Sequence, residues 1–380
     1  MKKPMSAFFL FLFIFFIAPI IGQSWSTLIR LTWNIDDSIF PSMTVGPGNR
    51  IDISWQELPI CGKGEIFHKS SLDAGDTWSA THRLTWNSGS SQVPFISSDS
   101  INRIHIVWHD DTPGNCEIFY RQTTDDGSTW TALQRLTWNA DASIFPTITA
   151  DQGTNVVIMW EELPLGIYQI FSKYSTDNGV TWSVKKRLTW NSGDSKSPHI
   201  TADSNNKFHV VWYDDYQGNK EIYYRQSSNG GATWSTIHRL TWKSGASINP
   251  WIAADQGNGL HVVWEDEEEI YYKSSTDSGV SWSAPSRLTY NSGASYYPSV
   301  AVDSLGMVWV VWQDNTKGNF EIYLKRSTDN GGTWSGLKRL CWTAQPSTNP
   351  SIVTDSSNDV HVIWADITPG NYEIFYKNRK

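Results

Sequence analysis

The sequence predicts an all-β fold, a seven-bladed β-propeller of four-stranded antiparallel blades. Two markers support this prediction, because both recur about every 50 residues and in the same phase. The first marker is RLTW or a close variant, which begins at Arg30 and occurs for the seventh time at Arg339. The second is a tryptophan that ends an apolar run, in seven copies from Trp55 to Trp364. Seven copies of each marker indicate seven blades.

Each period contains four short strand patterns, A to D, separated by Gly, Asn and Asp. Within residues 198–242, PHITAD alternates polar and apolar side chains, FHVVWYD is β-branched and aromatic, and EIYYRQS alternates again. WSTIHRLTW follows as strand D, and no stretch keeps a helical period over three turns. Four strands of this kind are typical of one propeller blade.

The two ends of the repeat complement each other. Residues 24–33 supply a D strand with no A, B or C strand before it, whereas residues 349–380 supply A, B and C strands and then stop. We therefore predict that the first strand completes the last blade. This closes the ring and removes the open sheet edges.

The first 22 residues have the pattern of a secretory signal peptide. Lys2 and Lys3 precede an apolar run from Ala7 to Phe16, and Gly22 marks a cleavage position. Residues 23–380 then form one propeller domain, which we expect to be secreted or periplasmic and not inserted in a membrane. A retained signal anchor is the alternative.

The composition argues against several classes of partner. The formal net charge is −8 and no basic block is present, which disfavours nucleic acid and anionic membrane surfaces. The three cysteines, Cys61, Cys116 and Cys341, match no zinc-site spacing, and a Cys61–Cys116 bridge stays open as an alternative to free thiols. We expect a monomer with no metal and no cofactor.

Tryptophan is strongly over-used, with 22 copies in 380 residues. Twenty of these occupy three repeated positions: the end of strand B, the Thr-Trp-Ser position, and the end of RLTW, where Tyr290 takes the seventh place. We predict that most of these large flat side chains fill the wedge between twisted blades.

A further repeated stretch, STDNGVTWS at 175–183, has five relatives in register. Its short carboxylate can accept hydrogen bonds from N–H groups of a tight turn, and its Gly allows positive φ. We predict that it stabilises the C–D hairpin and has no catalytic role, since Asn replaces Asp in the fourth copy and a general acid would not tolerate that change. The six turn residues are Asp73, Asp125, Asp177, Asn229, Asp277 and Asp329.

These stretches resemble the Asp box, or bacterial neuraminidase repeat, of sialidases and several other secreted propellers. The resemblance covers residues 23–380 and implies that the box lies on the C–D turn, on the face away from the substrate. The D–A and B–C loops would then form the binding face. Sialidases also hold the substrate carboxylate with three arginines on six blades. This sequence predicts seven blades and lacks the Phe/Tyr-Arg-Ile-Pro motif that brings the first of those arginines.

Binding positions in a repeat protein should be those that fail to repeat, and they cluster here around the proline that begins strand A. Strand A is innermost, so these residues should surround the upper mouth of the central channel. Aromatic faces beside amides suit sugar or peptide recognition, and uneven packing of the mouth is the alternative. The ligand-binding candidates are His199, Asn249, Trp251, Tyr296, Tyr297 and Asn349.

The sequence therefore favours a secreted binding or scaffolding module, with extracellular glycan or glycoprotein as the preferred ligand. The alternative is a sialidase-like glycoside hydrolase that uses a carboxylate pair at the mouth, drawn from Asp214, Asp266 and Asp314. A protein-assembly or adhesion propeller is the third option.

Overall fold

A computed structural model describes residues 24–60 and 62–380, and it contains seven four-stranded antiparallel sheets. The predicted seven-bladed β-propeller is therefore confirmed. The predicted signal peptide and Cys61 lie outside the described residues, so cleavage near Gly22 and the Cys61–Cys116 bridge stay predictions.

Strands A and B form the inner half of each blade. The A strands of neighbouring blades contact one another around the axis, which makes them innermost. The A strands are β2 (Asp37–Gly46), β6 (Ser91–Ser98), β10 (Ser143–Ala150), β14 (Ser195–Ala202), β18 (Ser247–Ala254), β22 (Ser295–Val302) and β26 (Ser347–Thr354). The B strands are β3 (Arg50–Leu58), β7 (Ile104–Asp110), β11 (Val156–Glu162), β15 (Phe208–Asp214), β19 (Leu260–Asp266), β23 (Val308–Asp314) and β27 (Val360–Asp366).

Strands C and D form the outer half, and strand D pairs over only two residues. The C strands are β4 (Glu65–Ser71), β8 (Glu117–Thr123), β12 (Gln169–Ser175), β16 (Glu221–Ser227), β20 (Glu269–Ser275), β24 (Glu321–Ser327) and β28 (Glu373–Arg379). The D strands are β5 (His82–Arg83), β9 (Gln134–Arg135), β13 (Lys186–Arg187), β17 (His238–Arg239), β21 (Ser286–Arg287), β25 (Lys338–Arg339) and β1 (Ile29–Arg30). The described helical segments are single 3₁₀ turns, Pro47–Asn49 and Pro164–Gly166, and none is long enough to cross a membrane.

Ring closure follows the sequence prediction. Strand β1 pairs with β28, the C strand of the seventh blade, with Ile29 opposite Tyr376 and Arg30 opposite Phe375. Leu31 extends the pairing, because its N–H donates to Ile374 O at 2.8 Å. The N-terminal segment thus supplies the missing fourth strand of the last blade.

Two of the three repeated tryptophan positions pack between blades as expected. The seven that end the B strands are fully buried, and five of the seven at the Thr-Trp-Ser position pack edge-on against aromatic rings, such as Trp182 on Tyr120 with centroids 5.1 Å apart. The RLTW position does not pack between blades, and the prediction for it was wrong. Its side chains are between 66% and 74% exposed. We call this set the outer aromatic ring: Trp33, Trp86, Trp138, Trp190, Trp242, Tyr290 and Trp342.

The C–D turns are stabilised by the Asp or Asn side chain that was predicted from the repeated stretch. In the third blade Asp177 Oδ1 accepts from Thr181 N at 2.8 Å, and its Oδ2 accepts from Thr181 Oγ1 at 2.6 Å. Asn229 of the fourth blade keeps the same arrangement, because its Oδ1 accepts from Thr233 N at 2.9 Å and its Nδ2 donates to Thr233 Oγ1 at 2.8 Å. The amide therefore replaces the carboxylate without loss of a bond.

This equivalence predicts different effects for two substitutions at one position. Asp177→Ala should lower the free energy of unfolding by about 1–2 kcal/mol, because it leaves a turn N–H without its acceptor. Asp177→Asn should change it by less than about 0.5 kcal/mol, since Asn229 makes the same bonds. Urea unfolding of both variants measures the difference, and equal destabilisation would contradict the turn-bracing role.

Candidate functional site

A chamber of about 230 Å³ opens at the upper end of the central channel. The start of strand A in all seven blades lines it, with a proline from each blade and the residue before that proline. The residues before the prolines form a partly exposed rim, and those after them form a more buried floor.

A β-bulge in every strand A turns the rim residue toward this chamber. The A–B register shifts across the position in each blade, and the residue has φ between 49° and 53°. Left-handed backbone is unfavourable for a non-glycine residue and is further disfavoured before proline. Strain of this kind concentrates at functional sites, and bulges redirect side chains there. The rim residues are Phe40, Val93, Phe145, Ser197, Asn249, Tyr297 and Asn349.

Three aromatic side chains from different blades meet across the channel. His199 of the fourth blade stacks on Trp251 of the fifth with centroids 3.8 Å apart. Phe95 of the second blade lies 5.5 Å from His199 and 5.8 Å from Trp251. All three residues also line a lower cavity of about 390 Å³. This trio, the aromatic plug, therefore separates the upper chamber from the lower part of the channel.

His199 places a hydrogen-bond donor in the plug. Its Nδ1 accepts from Ile252 N at 3.3 Å, so the ring hydrogen lies on Nε2. Nε2 is buried and has no protein partner among the described residues. Burial lowers the pKa of His199 to about 3, which keeps the imidazole neutral near pH 7. The floor of the chamber therefore contains a neutral, buried donor, which would have to become exposed to bind an oxygen of a ligand.

Five of the six predicted ligand-binding residues line the upper chamber, and Tyr296 does not. The Tyr296 hydroxyl donates to Glu268 Oε1 at 3.1 Å, and its ring lies 5.9 Å from Phe320. Glu268 belongs to the tight turn between β19 and β20, the shortest B–C loop. The bulge separates Tyr296 from the next residue, which faces the chamber. The five that line it are His199, Asn249, Trp251, Tyr297 and Asn349.

The residue after each B-strand tryptophan also belongs to the site, although the sequence analysis did not select it. In four blades its side chain accepts the N–H of a rim residue in the next blade, which holds the strained bulge in place. The pairs are Gln56 with Val93 at 3.3 Å, Glu161 with Ser197 at 2.6 Å, Glu265 with Tyr297 at 2.6 Å, and Gln313 with Asn349 at 2.9 Å. This position could have been selected from the sequence, because its residue type varies among the blades as that of the rim position does.

Two of these acceptors are carboxyl groups whose pKa is raised. Burial raises the pKa of Glu161 to about 7, and burial also raises the pKa of Glu265 to about 7. Tyr213 occupies the same position in the blade between them, and its pKa is raised by burial first and then by the nearby charges, Glu161 foremost. Glu265 also accepts from Asn249 Nδ2 at 3.0 Å, so it joins two rim residues.

Replacing Glu265 with Gln should reduce the loss of stability as the pH rises. A carboxyl group with a folded pKa of about 7 and an ordinary value of 4.5 holds more protons in the folded state between these values, so stability falls across that window. Gln keeps an acceptor for Tyr297 N, as Gln56 and Gln313 do in their own blades. Thermal melting of both proteins from about pH 4 to pH 8 tests this. Parallel curves would contradict the assignment.

The three carboxylates predicted for a hydrolase do not line the upper chamber. Each is buried and accepts a hydrogen bond from the serine that begins strand A of its own blade. Asp214 also accepts from Tyr216 N at 2.8 Å, as expected for a loop brace. The serine pairs are Ser195–Asp214 at 2.6 Å, Ser247–Asp266 at 2.9 Å and Ser295–Asp314 at 2.7 Å. Their geometry fits a structural role.

Among the described residues, none that lines the upper chamber is an arginine. The RLTW arginines lie at the outer edge, where six form salt bridges with the glutamate that opens strand C. Arg239 and Glu221 are 2.7 Å apart, for example. In residues 24–60 and 62–380 no cluster of His, Cys, Asp or Glu is arranged to hold a metal ion.

No family model and no curated protein sequence matches this chain. Solved structures nevertheless share its fold. A protein of unknown function from Dyadobacter fermentans is 13% identical with a TM-score of 0.61, over 95% of this chain and 100% of that one. The intramolecular trans-sialidase from Ruminococcus gnavus is 13% identical with a TM-score of 0.54, over 90% and 94% of the two chains.

An α-L-arabinofuranosidase from Fusarium graminearum is 14% identical with a TM-score of 0.56, over 75% of this chain and 91% of that one. At such identities the similarity concerns the fold alone. The chain therefore has a sialidase-like β-propeller fold, shared with sialidases and arabinofuranosidases.

Proposed function

We propose that this chain is a glycan-binding propeller that recognises a sugar in the upper chamber. The observation that carries the proposal is the combination of an aromatic plug as floor with a rim of aromatic and amide side chains. A pyranose has an apolar face of C–H bonds that can rest on Trp251, and its hydroxyl groups can meet the rim amides of Asn249 and Asn349. The shared fold with sialidases and arabinofuranosidases supports a glycan-related role.

The ligand is expected to be neutral or weakly charged. No arginine lines the chamber in the described part of the chain, and the nearest carboxyl groups are held by backbone N–H groups. A sialic acid carboxylate would find no guanidinium there to pair with. This favours a binding module over an enzyme that acts on sialosides.

Adjacent tyrosines provide a matched test of the chamber. Tyr297→Asn should reduce affinity for a glycan identified on an oligosaccharide array by about 10-fold, because one aromatic side chain of the rim is lost while Asn249 and Asn349 show that Asn adopts this backbone. Tyr296→Asn should leave the affinity within about twofold, since its side chain lies outside the chamber. Equal effects of the two changes, or capture of a protein together with silence on the array, would contradict the proposal.

A glycoside hydrolase is the second candidate, and the raised pKa values of Glu161 and Glu265 are the observation that favours it. A carboxyl group with a pKa of about 7 can donate a proton at neutral pH. Both groups are buried against the rim and would have to become exposed to reach a substrate. Fluorogenic sialosides and arabinofuranosides test this. Turnover that is abolished in Glu265→Gln would replace the binding proposal with the enzymatic one.

Secretion or periplasmic location is part of the proposal and depends on residues 1–22, outside the described structure. The charged start, apolar run and small residue at the cleavage position support it. N-terminal sequencing of the exported protein should find a start near Gln23. A chain retained in the cell with Met1 in place would contradict it.

A further inference from the structure

The outer aromatic ring surrounds the upper chamber at a distance. Each member comes three residues after the end of a D strand and precedes the entry to strand A of the next blade, so the ring lies on the same face as the chamber opening. Its members are between 66% and 74% exposed, so much of each side chain is open to solvent. The ring is thus a set of seven equivalent surface platforms.

Fold stability does not explain why the position is aromatic in all seven blades. A side chain that stays two-thirds exposed gains little from the hydrophobic effect. Another exposed apolar position recurs in four of the seven blades, at Leu28, Leu133, Ile237 and Leu337, whereas the aromatic residue after strand D is present in all seven. The recurrence of an aromatic residue at this exposed position in all seven blades therefore indicates a role other than packing in the core.

Shielding of the underlying ion pair is the structural alternative, and the third blade argues against it. In six blades the RLTW arginine lies 4.7–5.8 Å from the aromatic centroid and pairs with glutamate. In the third blade Gln169 replaces that glutamate, and Arg187 lies 6.0 Å from Phe171. Trp190 is nevertheless present and 68% exposed. The aromatic residue is kept where there is no Arg–Glu pair to cover.

In most blades the cations beside the platforms are already engaged. At Trp242, Arg239 pairs with Glu221 at 2.7 Å, and Lys273 Nζ donates to Leu240 O at 2.8 Å. Burial also lowers the pKa of Lys273. With these groups occupied and a net charge of −8, stacking of nucleic-acid bases is disfavoured, because it depends on free cations for the phosphates.

We propose that the outer aromatic ring binds neutral glycans by stacking pyranose rings on its exposed faces, independently of the upper chamber. Each platform alone is shallow and should bind weakly. Seven of them on one face gain strength when the ligand is displayed in many copies, as on a polysaccharide or a densely glycosylated surface. The ring then supplies avidity, while the chamber selects the sugar that enters it.

The test uses chain 23–380 on an array of neutral oligosaccharides printed at high density. A triple variant, Trp86→Ala, Trp138→Ala and Trp190→Ala, removes three neighbouring platforms and should lower retention at least about 10-fold. The same three positions changed to Tyr should stay within about threefold, because Tyr290 is the natural residue of the fifth blade. Leu305→Ala, which removes an exposed apolar side chain from the opposite face, is the control and should bind as the parent does.

The outcomes separate this proposal from the chamber. Binding that survives in the triple Ala variant but is lost in Tyr297→Asn would overturn the ring proposal and support the chamber. Absence of parent binding to every neutral glycan at high density would also overturn the ring proposal. So would a shift from an oligomer to a monomer in sedimentation of the triple Ala variant, because the ring would then be a contact between copies. Melting temperature and far-UV circular dichroism confirm that each variant is folded.

Discussion

A chain that begins at Asn34 should melt about 7 °C below a chain that begins at Gln23. The deletion removes β1 and Leu31, which is 1% exposed in the core between the first and seventh blades. Loss of the buried Leu31 and partly buried Ile29 side chains and of their backbone bonds should lower the free energy of unfolding by about 5 kcal/mol. For a domain of this size that corresponds to about 7 °C. Thermal melting measures the change.

Two controls identify the cause of this effect. Leu31→Ala should cost about 2–4 kcal/mol, whereas Leu28→Ala, at a side chain that is 40% exposed, should cost less than about 0.5 kcal/mol. A synthetic peptide of residues 24–33 should restore the melting temperature of the deletion in proportion to its concentration. Unchanged melting of the deletion would mean that the ring is closed by other contacts.

The architecture was predictable from this sequence because each blade repeats the same strand order and the same buried positions. The B-strand tryptophans are buried in every blade, so they recur in phase and count the blades. The unpaired D strand at one end and the missing D strand at the other then specify the closure. A single blade would have given a much weaker signal, since short apolar runs do not distinguish strands from buried helices.

The exposure of the outer aromatic ring was not predictable in the same way. Strand D pairs over only two residues, and Trp86 follows the pair Leu84 and Thr85, both of which are buried. Strand alternation no longer applies once the chain has left the ladder. A tryptophan that recurs at a fixed spacing therefore looked like core, although it lies on the surface.

The chamber was predicted in position but not in detail. The proline that recurs in each strand A located the rim. The β-bulge before each proline interrupts the alternation of side chains along the strand, so Tyr296 and Tyr297 lie in different environments. The plug joins Phe95 with residues two and three blades further on. No local pattern encodes such a contact across a channel. Glu265 was not predicted as a site residue, because it lies in a stretch of acidic residues and its hydrogen-bond partner, Tyr297, is in the next blade.

Removing the largest ring of the plug should connect the upper chamber with the lower part of the channel. Trp251→Ala takes away the surface on which His199 stacks and the ring that Phe95 approaches. We expect the free energy of unfolding to fall by about 2–3 kcal/mol, below the value for a fully buried tryptophan because Trp251 is only partly buried. Trp251→Phe keeps an aromatic floor and should cost less than about 1.5 kcal/mol. Urea unfolding measures both.

His199 provides a second readout that does not depend on stability. Burial lowers its pKa to about 3 in the intact plug, so water that enters beside it in Trp251→Ala should raise the pKa toward the ordinary value of 6.5. Titration of the imidazole resonances by NMR tests this directly, and Trp251→Phe should leave the pKa low. If the pKa of His199 stays low in Trp251→Ala, the channel remains closed without Trp251. In that case Phe95 alone would keep water from His199, and Phe95→Ala would be the change that opens the channel.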